Sequence, residues 1–335
     1  MTGVIAGPPR SGETRQSILF HKMMDARVIR AFTPVFDVLC PRMTKEKTER
    51  NEMANQTKER VGIVGCGRMG FSMLKHLIAK GYGVTVCDVS AEAVKRATDV
   101  GAKAAASPAD LAKQCDFVIL GVGYTDEVNA VVYGKDGLLE NLAKGAIIAV
   151  SSTTSPFVVQ EIAAAAKPKG IGVLDAPICR GRFAADEGTL LALVGGEGDV
   201  VERGRAVYGT FCSDYAHLGH VGHGQVGKTM NNLLLWINAV GLIEAGRLAE
   251  TTGIDLVKLR DALMMSSGAS DALKEWDMIS FTWALKDMQV VTEMTDKAGL
   301  SLPVTGAIKE LVKEARRIKA SNPPNWTGKG PTKYS

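Results

Sequence analysis

The sequence predicts an α/β fold, in which a doubly wound parallel sheet is followed by an all-helical C-terminal domain. From Arg60 onward, short apolar runs alternate with longer helical stretches, a pattern typical of parallel strands joined by helices. This alternation stops near Gly227, after which only helical patterns follow. We therefore predict a sheet domain over residues 59–221 and a helical domain over residues 222–319.

Short apolar runs mark the predicted strands, at residues 61–64, 84–88, 117–120, 146–150 and 172–174. The first helix is predicted over residues 69–80. Ser107-Pro108 and Ser155-Pro156 each join a capping residue to a proline suited to the first helical turn. Both pairs are predicted to begin helices.

Three further segments are assigned by their pattern. The stretch from Lys228 to about Thr252 is apolar nearly all round, which predicts a central helix buried on every side by other helices and a second subunit. Residues 320–335, rich in proline, glycine and lysine, are predicted to be a flexible tail. Residues 1–58 show no sustained period and are predicted to be a disordered extension, with Met53 a candidate for the native start.

Composition excludes several functional classes. Of the 335 residues, 46% are hydrophobic and 23% are charged, which is the balance of a globular protein with more than one core. The net charge of +4 is spread without a basic stripe or stacking aromatics, so no nucleic-acid partner is expected. No apolar run is long enough to cross a membrane, and we predict a soluble protein with no membrane partner.

Cysteine and histidine spacing argues against a metal. The six cysteines are far apart and form no C-x-x-C pair, which favours reduced thiols in a cytoplasmic protein. His217, His220 and His223 recur at a spacing of three, whereas helical zinc pairs stand four apart, and their segment is interpreted as a glycine-rich loop. No metal site is predicted.

A G-x-G-x-x-G string follows the first strand and opens the first helix, which is the context in which it binds a dinucleotide. The first glycine is expected to make the turn, the second to let the backbone approach a pyrophosphate, and the third to allow close helix–strand packing. The pyrophosphate would lie at the positive end of the helix. The predicted cofactor-binding residues here are Gly65, Cys66, Gly67, Arg68, Met69 and Gly70.

Asp88 ends the second predicted strand, where a carboxylate binds the adenosine ribose hydroxyls and repels a 2′-phosphate. Val89 and Ser90 follow, without the arginine that an NADP site would more often place there. NAD is therefore the predicted cofactor. Lys95 and Arg96 on the next helix keep NADP as an alternative.

A second constellation lies far downstream. Residues 222–232 form a glycine-rich approach to the long helix and carry Lys228 and Asn232, four residues apart. At that spacing an amine and an amide share one helix face. Side by side they suit proton transfer to a small polar substrate, so we predict an enzyme.

Four ordered blocks make the chain similar to the β-hydroxyacid dehydrogenase family, which includes 3-hydroxyisobutyrate dehydrogenase, tartronate semialdehyde reductase and, more distantly, 6-phosphogluconate dehydrogenase. The blocks are the loop at 62–70, the Asp-Ala-Pro segment with the later Gly-Thr-Leu, the G-x-G-x-x-x-K-x-x-x-N run, and Lys286-Asp287-Met288. They cover residues 60–318. The resemblance implies a Rossmann-type domain and an active site in the cleft between that domain and the helical domain. It also implies hydride transfer between nicotinamide and a short 3-hydroxy acid or related anionic alcohol.

The resemblance also implies roles for individual residues. Lys228 would be the general acid/base that exchanges a proton with the substrate hydroxyl. Asn232 and Ser152 would contact the substrate, although capping of the next helix is the alternative for Ser152 and its neighbour. The further cofactor contacts that it implies are Val122, Thr153 and Lys286.

One block departs from the family pattern. Where many relatives have Ser-Gly-Gly, this chain has Cys179-Arg180-Gly181. Gly181 keeps a backbone N–H suited to a substrate carboxylate, and Cys179 is interpreted as lining the pocket, since hydride transfer needs no covalent step. Arg180 adds a planar cation, similar to sulfolactaldehyde reductases of the family, which indicates a short substrate with a strongly anionic end. Alternatively, Arg180 points outward or pairs with Asp186.

Two other functions stay open at the level of sequence. One is oxidative decarboxylation of a sugar acid, as in the 6-phosphogluconate relatives, although this chain lacks their greater length. The other is a protein that binds NAD(P) without turnover. The expected partners are a small anionic hydroxyacid or semialdehyde and further copies of the chain, in a homodimer or homotetramer.

Overall fold

The computed structural model describes residues 58–329 of the chain. The predictions for residues 1–57, including the start at Met53, lie outside the described residues, as do those for residues 330–335. The prediction of a doubly wound sheet followed by helices is confirmed.

Six parallel strands form the centre of the sheet, in the order β3-β2-β1-β4-β5-β6. The order reverses between β1 and β4, which defines a doubly wound sheet. The five predicted strands are present, whereas β3 has only two residues, too few for a signal in the sequence. The bounds are β1 (Val61–Val64), β2 (Val84–Cys87), β3 (Lys103–Ala104), β4 (Phe117–Leu120), β5 (Ile147–Val150) and β6 (Gly172–Asp175).

These strands are apolar because both of their faces are buried. On β4, Phe117 and Ile119 belong to one core, and Val118 and Leu120 belong to the core on the opposite face. The helices that connect the strands cover both faces. They are α1 (Arg68–Ala79), α2 (Ala91–Asp99), α3 (Pro108–Ala112), α4 (Thr125–Tyr133), α5 (Leu138–Asn141) and α6 (Pro156–Ala166).

The two predicted serine caps differ. At α3, the side chain of Ser107 accepts a hydrogen bond from Asp110 N at 3.2 Å. At α6, the side chain of Ser155 makes no capping bond, and its buried hydroxyl has no hydrogen-bond partner. The prediction of a cap is therefore confirmed for Ser107 and wrong for Ser155, although both helices begin where predicted.

Three strands beyond β6 extend the sheet and are absent from the prediction. β8 runs antiparallel to β6 and β7, and β9 runs parallel to β8. His217 lies on β9, so the interpretation of its segment as a glycine-rich loop is wrong. The added elements are β7 (Ile178–Cys179), α7 (Gly181–Glu187), β8 (Leu190–Gly195), α8 (Gly198–Tyr208) and β9 (Cys212–Gly219).

The long helix α9 (His223–Glu250) begins five residues before Lys228. Its glycine-rich first turns are therefore part of the helix rather than an approach to it. Gly224 explains the glycines, because a Cβ there would lie 2.6 Å from Leu193 O and 2.8 Å from Asp175 O. Only a residue without a side chain lets the start of α9 pack this closely on the ends of β6 and β8.

The helical part packs around α9. Buried side chains from every one of its longer helices form a third core, which includes Trp236, Trp276 and Met288. The remaining helices are α10 (Leu256–Leu263), α11 (Asp271–Lys274), α12 (Ala284–Ala298) and α13 (Pro303–Ser321). Among residues 58–329, no helix is long and apolar enough to cross a membrane.

One face of α9 is exposed in the single chain. Gln225, Asn232 and Trp236 are on its buried face, whereas Leu234 is 59% exposed and Leu248 is 71% exposed. The chain's own elements therefore bury only part of α9, and its burial by a second subunit stays a prediction. We call Met230, Leu234 and Leu248 the exposed stripe of α9.

The prediction of a flexible tail is wrong for its described part. Trp326 is fully buried and its Nε1 donates a hydrogen bond to Leu242 O at 3.1 Å. Trp276 Nε1 donates to Pro324 O at 3.0 Å. Pro324 and Trp326 cover Gly246 of α9, where a Cβ would collide with the proline ring. Proline and glycine are therefore part of a packed segment here, although their frequency predicted a flexible one.

Candidate active site

The loops after the parallel strands meet at one edge of the sheet, as the carboxyl ends of parallel strands must. Gly121 N donates to Val64 O at 2.8 Å, and Ser152 N donates to Leu120 O at 2.9 Å. The loops after β1, β4 and β5 are therefore neighbours. The first turns of α9 pack on the adjacent ends of β6 and β8.

The G-x-G-x-x-G loop has the geometry that a dinucleotide requires. Gly65 has a φ of +95°, and a Cβ on Gly70 would overlap the carbonyl oxygen of Gly65, so both positions need glycine. A Cβ on Gly67 would meet no atom within 4 Å, and α1 begins there without a side-chain cap. The backbone N–H groups of the first helical turn are therefore free of a side-chain acceptor and suit a pyrophosphate.

Asp88 is held close to this loop. Its Oδ2 accepts a hydrogen bond from Cys66 N at 2.6 Å, and its Oδ1 accepts one from Ser90 N at 2.8 Å. Arg96 also reaches the loop, since its Nη2 is 3.5 Å from Cys66 O. Lys95 instead pairs with Asp99 on its own helix at 2.7 Å.

A surface depression of about 300 Å³ opens beside the cofactor loop. Three of the side chains that line it are cations, from Arg68, Lys75 and Arg96. Arg68 also pairs with Asp186 at 2.5 Å, so it is partly neutralised. Met69, the remaining predicted loop residue, packs against the core on the α1 face of the sheet.

Lys228 lies in the second turn of α9, next to β7. Its Nζ is 3.7 Å from the sulfur of Cys179, a buried residue of β7. Asn232 is buried one turn further on, where its Oδ1 accepts from Asn231 Nδ2 at 3.1 Å. The amine, the thiol and the amide are thus brought to one region from segments 49 residues apart.

The Lys286-Asp287 pair of α12 completes this region. Burial raises the pKa of the Asp287 carboxyl, which accepts from Trp236 Nε1 at 3.0 Å and is stabilised by Lys228 and Lys286. Burial lowers the pKa of Lys286; the charge of Asp287 partly opposes this shift, and the charge of Lys228 adds to it. The two lysines therefore lie close enough to repel each other.

Lys286 links the helical part to the loop after β4. Its Nζ donates to Gly123 O at 2.6 Å and lies 5.6 Å from the centre of the Trp283 ring. Val122, predicted to contact the cofactor, is the half-buried residue just before Gly123. Lys286 therefore reaches across to the loop in which that contact is predicted.

Ser152 and Thr153 differ in their surroundings. The Ser152 hydroxyl is buried and donates to Leu120 O at 3.2 Å, whereas Thr153 is half-buried. Neither caps α6. The backbone N and the hydroxyl of Ser152 thus both donate to Leu120 O, at the end of β4.

The structure pairs Arg180 with a residue that the sequence did not suggest. Its Nη1 donates to Asp214 Oδ2 at 2.6 Å and to Ser213 Oγ at 3.0 Å. Asp186, the alternative partner, instead binds Arg68. Arg180 and Gly181 both have left-handed φ values, of +83° and +69°. The guanidinium is therefore held by β9 on the surface, and the interpretation that it binds an anionic substrate gains no support from this geometry.

The three histidines bind protein groups. His217 Nε2 is 3.0 Å from Gly196 O, His220 Nδ1 is 2.9 Å from Glu197 Oε1, and His223 Nδ1 is 3.3 Å from Leu218 O. Among residues 58–329, no group of three or more histidine, cysteine or acidic side chains could hold a metal ion.

Comparison with known proteins decides the family. A model described as the NAD binding domain of 6-phosphogluconate dehydrogenase matches residues 60–222. A second, described as the NAD-binding part of NADP-dependent 3-hydroxyisobutyrate dehydrogenase, matches residues 222–322. Human mitochondrial 3-hydroxyisobutyrate dehydrogenase is 33% identical over 243 residues, which are 72% of this chain and 69% of the relative. The chain belongs to the β-hydroxyacid dehydrogenase family.

Other members of this family are also similar. NAD-dependent L-serine dehydrogenase of Pseudomonas aeruginosa is 33% identical over 65% of this chain and 74% of its own. The structure of Mycobacterium tuberculosis 3-hydroxyisobutyrate dehydrogenase with L-serine has a TM-score of 0.71 at 22% identity, covering 80% of this chain and 96% of that one. That last likeness shows the fold. The protein is an NAD(P)-dependent oxidoreductase of the hydroxyacid dehydrogenase type, as predicted.

The sequence analysis did not identify the contacts of two buried polar residues of this β-hydroxyacid dehydrogenase. Gln225 is fully buried and bonds the loop after β5, and Asp175 is fully buried against the start of α9. The helical spacing could have predicted that Gln225 is buried, since it shares a helical face with Thr229, Asn232 and Trp236. A polar side chain on a buried face requires partners, which makes it a candidate for a structural or functional contact.

Proposed function

We propose that the protein interconverts a short 3-hydroxy acid and its semialdehyde with NAD, and that Lys228 is the general acid/base. The observation that carries this proposal is the position of the Lys228 amine, beside Cys179 and one turn from Asn232. The human relative is named for 3-hydroxyisobutyrate and the Pseudomonas relative for L-serine, both small hydroxy acids.

The residues divide the work between them. NAD, when bound, supplies the hydride acceptor, and the glycine loop and Asp88 are proposed to hold its pyrophosphate and ribose. Lys228 takes the hydroxyl proton during oxidation and returns it during reduction. Asn232 orients the substrate on the same helix face, with Cys179 lining the pocket beside the amine.

For the substrate carboxylate, we propose the backbone N–H of Gly181 and the loop of Ser152 and Thr153. Two consecutive residues in the left-handed region, Arg180 and Gly181, shape the start of α7, and such backbone can direct N–H groups toward an anion. Arg180 would join this site only after it leaves Asp214.

NAD is proposed over NADP because Asp88 directly follows β2, where a carboxylate would accept hydrogen bonds from the ribose hydroxyls. Arg96 and the depression that it lines are the opposing observation, since three cations there suit a phosphate. The ratio of kcat/KM for the two cofactors decides between them. A ratio that favours NADP would overturn the proposal, and Arg96→Ala should then reverse that ratio.

A change in NADH absorbance with 3-hydroxyisobutyrate, L-serine and short anionic semialdehydes tests the function. We expect Lys228→Ala to lower kcat by about 10² to 10⁴. Lys313→Ala is the matched control, because that exposed lysine of α13 pairs with Glu310 on the neighbouring turn of the same helix. Near-normal turnover of Lys228→Ala would refute the acid/base role. Release of carbon dioxide with NADH would indicate the decarboxylase instead.

We also propose that the exposed stripe of α9 binds a second copy of this chain. A stripe of large apolar side chains spaced along one helix is typical of a homo-oligomer interface. Light scattering should give a dimer or tetramer for the wild type, and Leu234→Asp should lower the mass. A wild-type monomer would refute the proposal.

The compartment is proposed to be the reducing cytoplasm. Cys66, Cys87, Cys115, Cys179 and Cys212 are free and buried, which suits a reducing environment. The human relative is mitochondrial by name, and the mitochondrial matrix is also reducing. Cell fractionation distinguishes the two, and recovery with mitochondria would refute the cytoplasmic assignment.

A further inference from the structure

We propose that Gln225 is a positioning residue, which sets the place of the Ser152–Thr153 loop relative to Lys228. This inference rests on the proposed acid/base role of Lys228. Gln225 is fully buried and three residues before Lys228 on α9, so it would act through the groups that it holds.

Both ends of the Gln225 amide bond one loop. Its Oε1 accepts a hydrogen bond from Thr154 N at 3.0 Å, and its Nε2 donates one to Ser152 O at 2.9 Å. The two bonded residues flank Thr153. A single side chain therefore fixes the three-residue segment that carries Ser152 and Thr153.

The backbone of Gln225 is fixed in turn by Asp175. One carboxylate oxygen, Oδ2, accepts from Gly222 N at 2.9 Å and from Gln225 N at 3.0 Å. Asp175 is fully buried at the end of β6, so it attaches the first turn of α9 to the sheet. The other oxygen, Oδ1, has no hydrogen-bond partner, and burial raises the pKa of the carboxyl to about 7.

These contacts relate two groups that approach the substrate from different segments. A helix is stiff over one turn, so fixing the backbone at Gln225 also fixes the backbone at Lys228. The side chain of Gln225 meanwhile holds the loop after β5, the strand next to β6. The separation between the Lys228 amine and Thr153 is thus set by one residue, and a misplacement of about 1 Å in such a pair can lower a rate about 100-fold.

Gln225→Met tests the two hydrogen bonds from the Gln225 amide to the Ser152–Thr153 loop, because methionine keeps the length of the side chain and removes both of them. Gln160→Ala is the matched control, since Gln160 also donates to the chain beside α9, at Val221 O, but does not bond the Ser152–Thr153 loop. Amide hydrogen exchange is measured first, and it needs no turnover. We expect the Thr154 amide to exchange at least about tenfold faster in Gln225→Met and unchanged in Gln160→Ala.

Turnover of 3-hydroxyisobutyrate and L-serine with NAD is measured on the same proteins. We expect Gln225→Met to lower kcat about 10- to 100-fold, with the dissociation constant of NADH within about threefold of wild type. A purely structural role would lower the denaturation midpoint without changing kcat below it.

Gln225→Glu gives a readout that folding alone does not. When protonated, the introduced carboxyl can donate to Ser152 O and accept from Thr154 N, as the amide does. When ionised, it opposes the Ser152 carbonyl and repels the carboxylate of Asp175, which accepts a hydrogen bond from the backbone N of the same residue. We expect kcat of this variant to fall relative to wild type as pH rises from about 5 to 8.

The outcomes separate the two proposals. Unchanged exchange of the Thr154 amide, a kcat within threefold of wild type in Gln225→Met, or parallel pH profiles for wild type and Gln225→Glu would each overturn the positioning role. Normal turnover of Lys228→Ala would refute the acid/base role instead. Hydrogen exchange at the Thr154 amide would still show whether Gln225 holds the Ser152–Thr153 loop.

Discussion

Trp326 provides the sharpest test of the packed C-terminal segment. The side chain is fully buried against α9 and donates to Leu242 O. A buried tryptophan removes about 200 Å² from water, which at about 25 cal/mol per Å² corresponds to about 5 kcal/mol. Partial compactness of the unfolded chain lowers this figure. We expect Trp326→Ala to lower the free energy of unfolding by about 3 to 5 kcal/mol.

Urea unfolding followed by circular dichroism measures this change. Trp283→Ala is the matched control. The Trp283 side chain is 47% exposed, so its loss should lower the free energy of unfolding by no more than about 1 kcal/mol. Truncation after Ser321 should be at least as harmful as Trp326→Ala, since it also removes the Pro324 carbonyl that binds Trp276. A loss below about 1 kcal/mol in both the variant and the truncation would show that residues 322–329 do not pack as described.

Three further predictions follow from single contacts. Gly70→Ala should abolish NADH binding measured by fluorescence, because its Cβ would overlap the carbonyl oxygen of Gly65; retained affinity would show that the loop can shift. For Asp175, a folded pKa of about 7 against 3.8 means that the folded state binds more protons in that window, so wild-type stability falls as pH rises through it, by up to about 4 kcal/mol. Urea unfolding at pH 4 to 8 should show that Asp175→Asn removes this fall in stability. If stability depends on pH in the same way in the variant and the wild type, the raised pKa of Asp175 is contradicted. Arg180→Gly should leave KM for an anionic hydroxy acid within about threefold, because Asp214 already holds the guanidinium; a tenfold rise would restore the anion-binding interpretation.

Much of the nucleotide-binding part is predictable from local sequence. A strand buried on both faces must be apolar at every position, so β1, β4 and β5 stand out as short apolar runs. The dinucleotide loop stands out because backbone geometry requires two of its glycines, Gly65 and Gly70, which lie within six residues of each other. β9 gives no such signal, since it is largely exposed and includes Ser213, Asp214 and His217.

The sequence by itself determined the five strands at 61–64, 84–88, 117–120, 146–150 and 172–174, the cofactor loop, and the placement of Lys228 and Asn232 on one helix face. Each of these depends on residues a few positions apart. Tertiary structure alone decided that Asp214 holds Arg180, that Trp326 is buried, and that Gln225 joins α9 to the loop after β5. The physical reason is the distance along the chain: these partners are separated by 34, 84 and 73 residues, and only folding brings them into contact.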